Sequence, residues 1–247
     1  MRNFAIILFG FTMAAATVGA FVVPDAQVEW QHPDLARIVF FHLPYALLSA
    51  VAIIVACWFA WKYLRTRDMV WDLRTAAAVE LSGVLATITL LTGIVFSDVQ
   101  WGKAWNWDPR QTSYLLVLLL IGAYLAIRSA LPDRTRVAAS SSAYLLAALL
   151  PILFLIFVYP RIQWSLHPDV VRQGGFDGWY RTLVLSMFGL VGVWSVWAYR
   201  LRVRAGVLNW RLEELESNGK LEADRHGAAV DRVVRPVRVH VDDRSSG

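Results

Sequence analysis

Six long apolar stretches constrain the fold of this chain more than any other feature of its sequence. A helix that crosses a bilayer core of about 30 Å needs about 20 predominantly apolar residues. The stretches that meet or approach this length are 4–23, 39–61, 76–96, 112–127, 137–159 and 179–199. Because lipid offers no partner to an unpaired backbone group, each stretch is expected to be helical. The sequence therefore predicts an all-α membrane protein, a bundle of six transmembrane helices.

The composition excludes several other classes of protein. Hydrophobic residues make up 57% of the 247-residue chain and charged residues 17%, whereas soluble domains usually carry about 25% charge. The single cysteine, Cys57, excludes a disulfide framework, and the sequence contains no Gly-rich phosphate-binding loop. The net charge of +5 is modest, so the expected surroundings are a lipid bilayer and no nucleic acid.

The positions of lysine and arginine predict the orientation, because cytoplasmic loops carry an excess of both. Alternate flanks of the six stretches contain two unequal sets of these residues. The larger set consists of Arg2, Lys62, Arg65, Arg67, Arg74, Arg128, Arg134, Arg136, Arg200, Arg202, Arg204 and Arg211. The smaller set consists of Arg37, Lys103, Arg110, Arg161, Arg172 and Arg181. Both termini are therefore predicted to be cytoplasmic, and loops 24–38, 97–111 and 160–178 to face outward.

The two ends of the chain add further predictions. The first stretch has a cationic start and small residues near its end, so a cleaved signal peptide is an alternative to a first span. The six-span domain is predicted to cover residues 1–204, and a cytoplasmic tail to cover 205–247. Near-helical spacing in the tail region favours a short amphipathic helix at the membrane surface, followed by a disordered end. The leucines at that spacing are Leu201, Leu208, Leu212 and Leu215.

A tryptophan-rich segment lies between the third and fourth stretches and reads W-G-K-A-W-N-W-D-P-R. Tryptophan needs a surface for its ring and an acceptor for its N–H. Trp101, Trp105 and Asp108 fall at i, i+4 and i+7, which predicts a short outward interfacial helix with these residues on one face. Together with Trp107, the segment is interpreted as a flat aromatic platform for a planar ligand, haem. The alternative is an ordinary interfacial belt of aromatic residues.

Asp108 also has the signature of a helix start. An aspartate at the N-cap, Pro109 at the first helical position and Gln111 at the third resemble a capping box for the fourth helix. We favour this structural role over an acid–base role. Loss of the cap would tilt the aromatic segment, so the structural and ligand-binding roles are linked.

Two histidines are candidate iron ligands on the outward side. His42 lies in F-H-L-P-Y-A at the start of the second stretch, and His167 lies in W-S-L-H-P in the last outward loop. Neutral imidazole is a common ligand of haem iron, so the two are predicted to bind one iron from opposite sides. The alternative is that each is bonded to a neighbouring group. His32 is a weaker candidate, while the tail histidines, His226 and His240, are expected to be solvated.

The outward cations are candidates for the two propionates of haem, since an arginine fork matches a carboxylate. Arg110, next to the tryptophans, is the first choice and Arg37 the second. The other outward cations are Lys103, Arg161 and Arg172. Ordinary loop charge is the alternative for each of them. The one intramembrane acid that stands out, Glu80, is expected to reach the interface or to pair with Arg74.

The segment W-G-K-A-W-N-W-D-P-R-Q-T resembles the tryptophan-rich (WWD) signature of the haem-handling cytochrome c assembly proteins. That family includes haem exporter protein C (CcmC) and the CcsA-type synthetase subunit. The stretches F-H-L-P-Y-A and W-S-L-H-P resemble the family's two histidine segments, and the resemblance covers roughly residues 35–200. The six-span size suits CcmC, whereas the sequence N-W-D-P-R-Q-T is closer to that of the CcsA type. The CcsA type usually adds spans and mid-membrane histidines that this sequence lacks.

The resemblance implies a function and a set of site residues. His42 and His167 would be axial ligands of a non-covalent, b-type haem, and Trp101, Trp105, Trp107 and Asp108 would line the site. The protein would hold haem at the outer face of the bacterial inner membrane and deliver it to a haem chaperone or apocytochrome. ABC-type transporter subunits, and a small membrane subunit, would be further partners. This is a transfer or lyase-type role without covalent catalysis on this chain.

Two rival functions make different demands on the sequence. A membrane b-type electron carrier needs histidine pairs buried between spans, and a solute transporter with an aromatic gate needs polar or broken mid-membrane segments. The apolar stretches show few of either feature.

Overall fold

The computed structural model describes residues 2–23, 32–167 and 178–233, and every regular element in those ranges is a helix. A 3₁₀-helix precedes α2, and a π-helix lies between α5 and α6. In chain order the elements are α1 (Arg2–Val22), the 3₁₀-helix (Pro33–Ile38), α2 (Val39–Thr66), α3 (Met69–Trp101), α4 (Pro109–Ala130), α5 (Arg134–Leu153), the π-helix (Phe154–Val158), α6 (Tyr159–Ile162) and α7 (Gly178–Val233).

Five helical segments in the described part of the chain are long and apolar enough to cross a membrane. They are Pro33–Thr66, Met69–Trp101, Pro109–Ala130, Arg134–Ile162 and Gly178–Gly219. A shorter apolar helix, Ile6–Val22, corresponds to the first predicted span. The chain is therefore a multi-pass, all-α membrane protein with five or six spans, while the count of six and the orientation of the termini stay predictions.

The helices end at polar residues that lie beyond the apolar stretches. Arg67 ends α2 in the left-handed conformation at φ 59°, and Asp68 then caps α3 by accepting from the Val70 backbone N–H. Asp133 caps α5 in the same way through the Arg136 N–H. Such caps satisfy backbone groups that the helix itself leaves unpaired. Two residues therefore suffice to join α2 to α3.

The chain divides into two compact units, Met1–Val203 and Arg204–Gly247. The first unit contains a core of α2, α3, α4 and α5, in which small residues allow close backbone approach. Buried members of this core include Ala56, Ala60, Ala78, Val117, Tyr124 and Leu145. A second cluster joins α1, the 3₁₀-helix and the starts of α2 and α7 through Ala20, Ala36, Phe40, Tyr180 and Met187.

The second unit is helical over its described residues, 204–233, all within α7. This stretch is part of one helix that runs from Gly178 to Val233 without a proline, and the amphipathic character of the tail stays a prediction. Leu208, Leu212 and Leu215 are exposed. Residues 234–247, which include most of the segment predicted to be disordered and His240, lie outside the described residues.

A buried ion pair joins α3, α4 and α5, and no local sequence signal indicates it. The Arg128 guanidinium donates to both carboxylate oxygens of Asp72 at 2.6 and 3.0 Å, and to the Ser141 hydroxyl at 3.2 Å. Asp72 is only 2% exposed. A bidentate pair of this kind satisfies two charges that lipid cannot solvate.

Of the two expectations for Glu80, reaching the interface or pairing with Arg74, the pairing is wrong. Its carboxylate accepts from Arg202 of α7 at 2.5 and 2.8 Å. The Arg74 guanidinium instead lies over the Trp71 ring, 4.6 Å from the ring centroid. Arg74 therefore makes a cation–π contact within its own helix and does not bind Glu80.

The predicted fifth span, 137–159, consists of α5, the π-helix and the start of α6. Pro151 lies inside α5 and lacks the N–H that an α-helix needs, and the wider π turn follows at Phe154. α6 begins at Tyr159 and ends at Ile162. The chain then enters the loop that contains His167.

Candidate functional site

His42 and His167 lie side by side although they are far apart in the sequence. Their ring centroids are 6.4 Å apart, and the ring planes differ by 32°. Two imidazoles that bind one metal ion from opposite sides, with metal–nitrogen bonds of about 2.0–2.1 Å, have ring centres roughly 6 Å apart. The structure thus brings together the two predicted ligands at a separation that suits a shared metal ion.

The tautomer of His42 follows from its hydrogen bond to α3. Its Nδ1 atom lies 2.9 Å from the Thr92 hydroxyl oxygen. That hydroxyl donates to the Ile88 carbonyl at 2.8 Å, and a hydroxyl has only one hydrogen to give. When that hydrogen goes to the Ile88 carbonyl, the Thr92 oxygen accepts from Nδ1–H, and this tautomer places the lone pair of His42 on Nε2. A neutral imidazole with this tautomer can ligate a metal through Nε2.

Gly93 gives the His42 ring its space. A Cβ atom at Gly93 would lie 3.4 Å from His42 Cε1, so a longer side chain there would meet the imidazole. Thr92, Gly93 and Phe96 lie on adjacent positions of one face of α3. The Phe96 ring centroid is 6.3 Å from that of His167. One helix face therefore contacts both imidazoles.

The tryptophan segment is a loop and not the predicted interfacial helix. α3 ends at Trp101 because Gly102 adopts the left-handed conformation, with φ 68°. Trp107 is also left-handed, with φ 54°, and Asp108 is extended as the N-cap of α4. These backbone angles interrupt helical geometry twice within seven residues, so Trp101, Trp105 and Asp108 do not share a helix face.

The tryptophan rings do not form the flat platform that the sequence suggested. Trp105 and Trp107 are perpendicular, with ring centroids 5.8 Å apart and planes at 89°. Trp101 packs edge-to-face against Phe96 at 5.3 Å, and Phe96 in turn lies beside His167. Trp107 is 72% exposed. The rings therefore form two edge-to-face pairs, one of which reaches the histidines through Phe96.

Side chains from both neighbouring helices hold the tryptophan loop. Ser97 donates to the Lys103 carbonyl at 2.8 Å, and the Asn106 amide donates to the Ser97 hydroxyl and to the same carbonyl. Gln111 accepts from the Asn106 N–H and donates to the Ala104 carbonyl. Gln111 therefore binds the loop instead of completing the capping box with Asp108.

Asp108 caps α4 as predicted and also binds the histidine loop. Its Oδ1 accepts from the Arg110 N–H at 2.9 Å. Its Oδ2 accepts from the Ser165 hydroxyl and from the Leu166 N–H, both at 2.8 Å. Ser165 Oγ accepts from the His167 N–H at 3.1 Å. Asp108 is thus connected, through Ser165, to the backbone of His167.

Comparison with known proteins identifies the family to which this arrangement belongs. The family model described as heme exporter protein C (CcmC) matches residues 1–215. The chain belongs to the heme exporter protein C family. It is similar to heme exporter protein C of Rhodobacter capsulatus, with 27% identity over 223 residues that cover 86% of this chain and 84% of the relative.

Other members of the heme exporter protein C family are similar over shorter ranges. The Paracoccus denitrificans protein is 30% identical over 116 residues, 47% of each chain. The Escherichia coli K12 protein is 28% identical over 175 residues, 67% of this chain and 68% of the relative. The resemblance to CcmC, in preference to the CcsA type, is thereby confirmed.

Among the predicted cations of this heme exporter protein C family member, Arg110 is placed near His42. Its guanidinium interacts electrostatically with His42 and with Tyr114. Arg37 donates to the Val23 carbonyl at 2.7 Å, and Arg161 donates to the Phe157 carbonyl of the preceding turn. Lys103 is exposed. Arg172 lies outside the described residues.

The remaining histidines of this family member take no described part in the pair. His32 is exposed, and its backbone N–H donates to Gln100 Oε1 at 3.3 Å. His226 is within α7, where its side chain is not described. Among the described side chains, those of residues 6–23, 32–167 and 178–219, no three His, Cys, Asp or Glu residues cluster as metal ligands. A pair of imidazoles suits a metal that already carries other ligands.

The sequence reasoning missed Thr92, Phe96 and Ser165. Thr92 and Phe96 lie four residues apart on α3, close to the tryptophan segment. That spacing is the only sequence feature that indicates a shared helix face. Ser165 is two residues from His167, and nothing in its local sequence indicates a bond to Asp108.

Proposed function

We propose that this heme exporter protein C family member holds haem between His42 and His167 and passes it on during cytochrome c biogenesis. The observation that carries the proposal is the 6.4 Å separation of the two imidazole centroids. Haem iron already has four porphyrin nitrogens, so it needs two further ligands, and a histidine pair provides them. The Nε2 lone pair of His42 supports the same assignment.

Haem in this site is held without a covalent bond to the chain, as a b-type haem. The one cysteine, Cys57, is buried in the core of the α2–α5 bundle. Trp105 and Trp107 would contact the macrocycle, Trp101 would support Phe96 beside His167, and Arg110 would bind a propionate, with Arg37 as the second candidate. Aromatic contacts of this kind contribute about 0.5–1.5 kcal/mol each beyond buried area.

The haem site faces the periplasmic side of the bacterial inner membrane, and both termini of a six-span bundle are cytoplasmic. The distribution of lysine and arginine supports this orientation. At the α2–α3 connection, the end of α3 remote from the histidines, Lys62, Arg65 and Arg74 each lie over a tryptophan ring. Cations and tryptophans together are typical of a cytoplasmic membrane interface.

Haem is cargo, and its acceptor is a haem chaperone or an apocytochrome. Release requires one imidazole to be exchanged for a ligand from the acceptor. Apart from the two iron–imidazole bonds, haem forms no bond of this kind with the chain. ABC-type transporter subunits and a small membrane subunit are the proposed partners. The family's description as a heme exporter supports this transfer role.

Electron transfer by a membrane b-type haem is the competing function. That role favours histidine pairs buried between spans, so that electrons can cross the bilayer. In the described spans, His42 is the one histidine, and its partner is in a loop at one end of the bundle. We therefore favour haem delivery.

The absorption spectrum of the purified protein tests the proposal. Wild-type protein is expected to contain low-spin haem with sharp bands in the reduced state, and His42→Ala with His167→Ala is expected to lose it. His32→Ala is the matched control because His32 is exposed and outside the pair. Full haem content in the double variant would overturn the ligand assignment.

A further inference from the structure

We infer that Asp108 is a positioning residue for His167, acting through Ser165 and Leu166 and not through contact with haem. The inference rests on the proposed function, since it concerns how one of the two ligands is held. It also assigns a task to the acid of the tryptophan-rich motif that differs from lining the haem site.

One buried carboxylate makes three hydrogen bonds that join two separate segments. Asp108 is 5% exposed. Its Oδ1 binds the first turn of α4, while its Oδ2 accepts from the Ser165 hydroxyl and the Leu166 N–H at 2.8 Å each. Hydrogen bonds to an ionised acceptor are about twice as strong as neutral ones, and burial removes competition from water.

The connection continues to the His167 backbone. Because the Ser165 hydroxyl gives its hydrogen to Asp108, its oxygen is an acceptor, and it accepts from the His167 N–H at 3.1 Å. Three consecutive residues are thus fixed by Asp108 directly or through one intermediate. Metal–ligand distances tolerate deviations of only about 0.2 Å, so a displaced loop would remove this ligand.

The two candidate ligands are therefore held by different hydrogen bonds, although the same face of α3 lies beside both rings. His42 is on α2 and bonds Thr92 of α3 through its own ring, whereas His167 is on a loop whose backbone depends on Asp108. Changes at Asp108 should consequently affect coordination by His167 and leave His42 in place.

An Asp108→Asn variant separates capping from positioning. Asparagine is as good an N-cap as aspartate, but it has one acceptor oxygen where aspartate has two. It can accept from the Arg110 N–H or from the Leu166 N–H, and its amide group then faces the other N–H without a bond. Because the Arg110 N–H belongs to the adjacent first turn of α4, the first arrangement is expected, in which α4 stays capped and the Leu166 N–H loses its acceptor.

The first measurement uses haem-free protein and amide hydrogen exchange of a peptide that spans residues 163–167. Asp108→Asn is expected to accelerate exchange of the Leu166 and His167 amides about tenfold or more, since bonds to a charged acceptor are lost. Asp133→Asn is the matched control, because Asp133 caps α5 through Arg136. Unchanged exchange in Asp108→Asn would overturn the inference.

The second measurement is the spectrum of haem-loaded protein with and without added imidazole. Asp108→Asn and Ser165→Ala are expected to shift haem from low-spin towards high-spin, as His167→Ala does, and imidazole should restore the low-spin spectrum by filling the vacated position. Ser165→Thr retains the hydroxyl and should resemble wild type.

The outcomes distinguish the inference from the proposed function. If His167→Ala loses the low-spin spectrum while Asp108→Asn and Ser165→Ala keep it, positioning by Asp108 is wrong and haem ligation stands. A shift that imidazole does not reverse also contradicts the inference. A wild-type protein without low-spin haem contradicts the proposed function, and the exchange measurement then still decides whether Asp108 holds the loop.

Discussion

The Nδ1 atom of His42 lies 2.9 Å from the hydroxyl oxygen of Thr92, which itself donates to the Ile88 carbonyl. Thr92→Val removes the acceptor of Nδ1–H while preserving the shape of the side chain. Partners of this kind typically contribute 10–100-fold to metal affinity, so we expect haem affinity to fall at least about tenfold. Haem titration of the haem-free protein measures the change.

Thr87→Val is the control for that experiment. Thr87 is an exposed threonine of the same helix, and its hydroxyl donates to the Gly83 carbonyl. It should leave haem affinity unchanged. Equal affinities of the Thr92→Val and wild-type proteins would argue against haem ligation through His42 Nε2.

Gly93 sets the space available to the His42 ring. Gly93→Leu is expected to displace the imidazole, because even a Cβ atom would lie 3.4 Å from Cε1, and haem should lose its low-spin spectrum. Gly122→Leu is the matched control, since nothing lies within 4 Å of a Cβ atom at Gly122. A low-spin spectrum in both variants would contradict the proposed position of the iron.

Sequence alone predicts the helices and the cap of α4 because both depend on local signals. The apolar stretches match the spans of α2 to α7, and Asp108 followed by Pro109 marks the start of α4. Sequence alone also indicated that His42 and His167 belong to one site, through their motifs and their outward flanks. The structure brings these two rings together as that hypothesis requires.

The remaining features depend on backbone angles and long-range partners that spacing does not reveal. An i, i+4, i+7 pattern assumes helical backbone throughout, so it fails where Gly102 and Trp107 are left-handed. The bond from Asp108 to Ser165 and the bond from Glu80 to Arg202 join residues on different segments. Nothing local in the sequence identifies those partners.

Trp107 combines an exposed ring with an unfavourable backbone conformation. Left-handed backbone costs a non-glycine residue about 1–2 kcal/mol, so Trp107→Gly should not lower the thermal stability of haem-free protein. Loss of the ring should nevertheless lower haem affinity several-fold. The prediction is checked by a melting curve and a haem titration of the same sample. Trp179→Ala removes an equally exposed tryptophan and should change neither.

The ion pair between Asp72 and Arg128 is expected to matter for stability and not for haem coordination. Removing one partner of a buried pair typically costs about 3–5 kcal/mol, so Asp72→Asn should lower the melting temperature markedly. Asp72 is roughly 30 Å along α3 from Thr92, and the haem spectrum of the folded fraction should match wild type.

The double variant Asp72→Asn with Arg128→Gln provides the control for that pair. It removes both charges, so much of the lost stability should return. A double variant less stable than Asp72→Asn alone would show that the two side chains do not act as a pair.

The π-helix at Phe154–Val158 fixes the angle at which the chain leaves the membrane towards His167. A π turn contains one more residue than an α turn, so it rotates all that follows by about 100° relative to an uninterrupted helix. Deleting a single residue from this turn would restore α geometry and point α6, with the loop behind it, in a different direction. A sequence change within the fifth predicted span would thereby alter the end of the bundle that contains the histidine pair without touching any residue there.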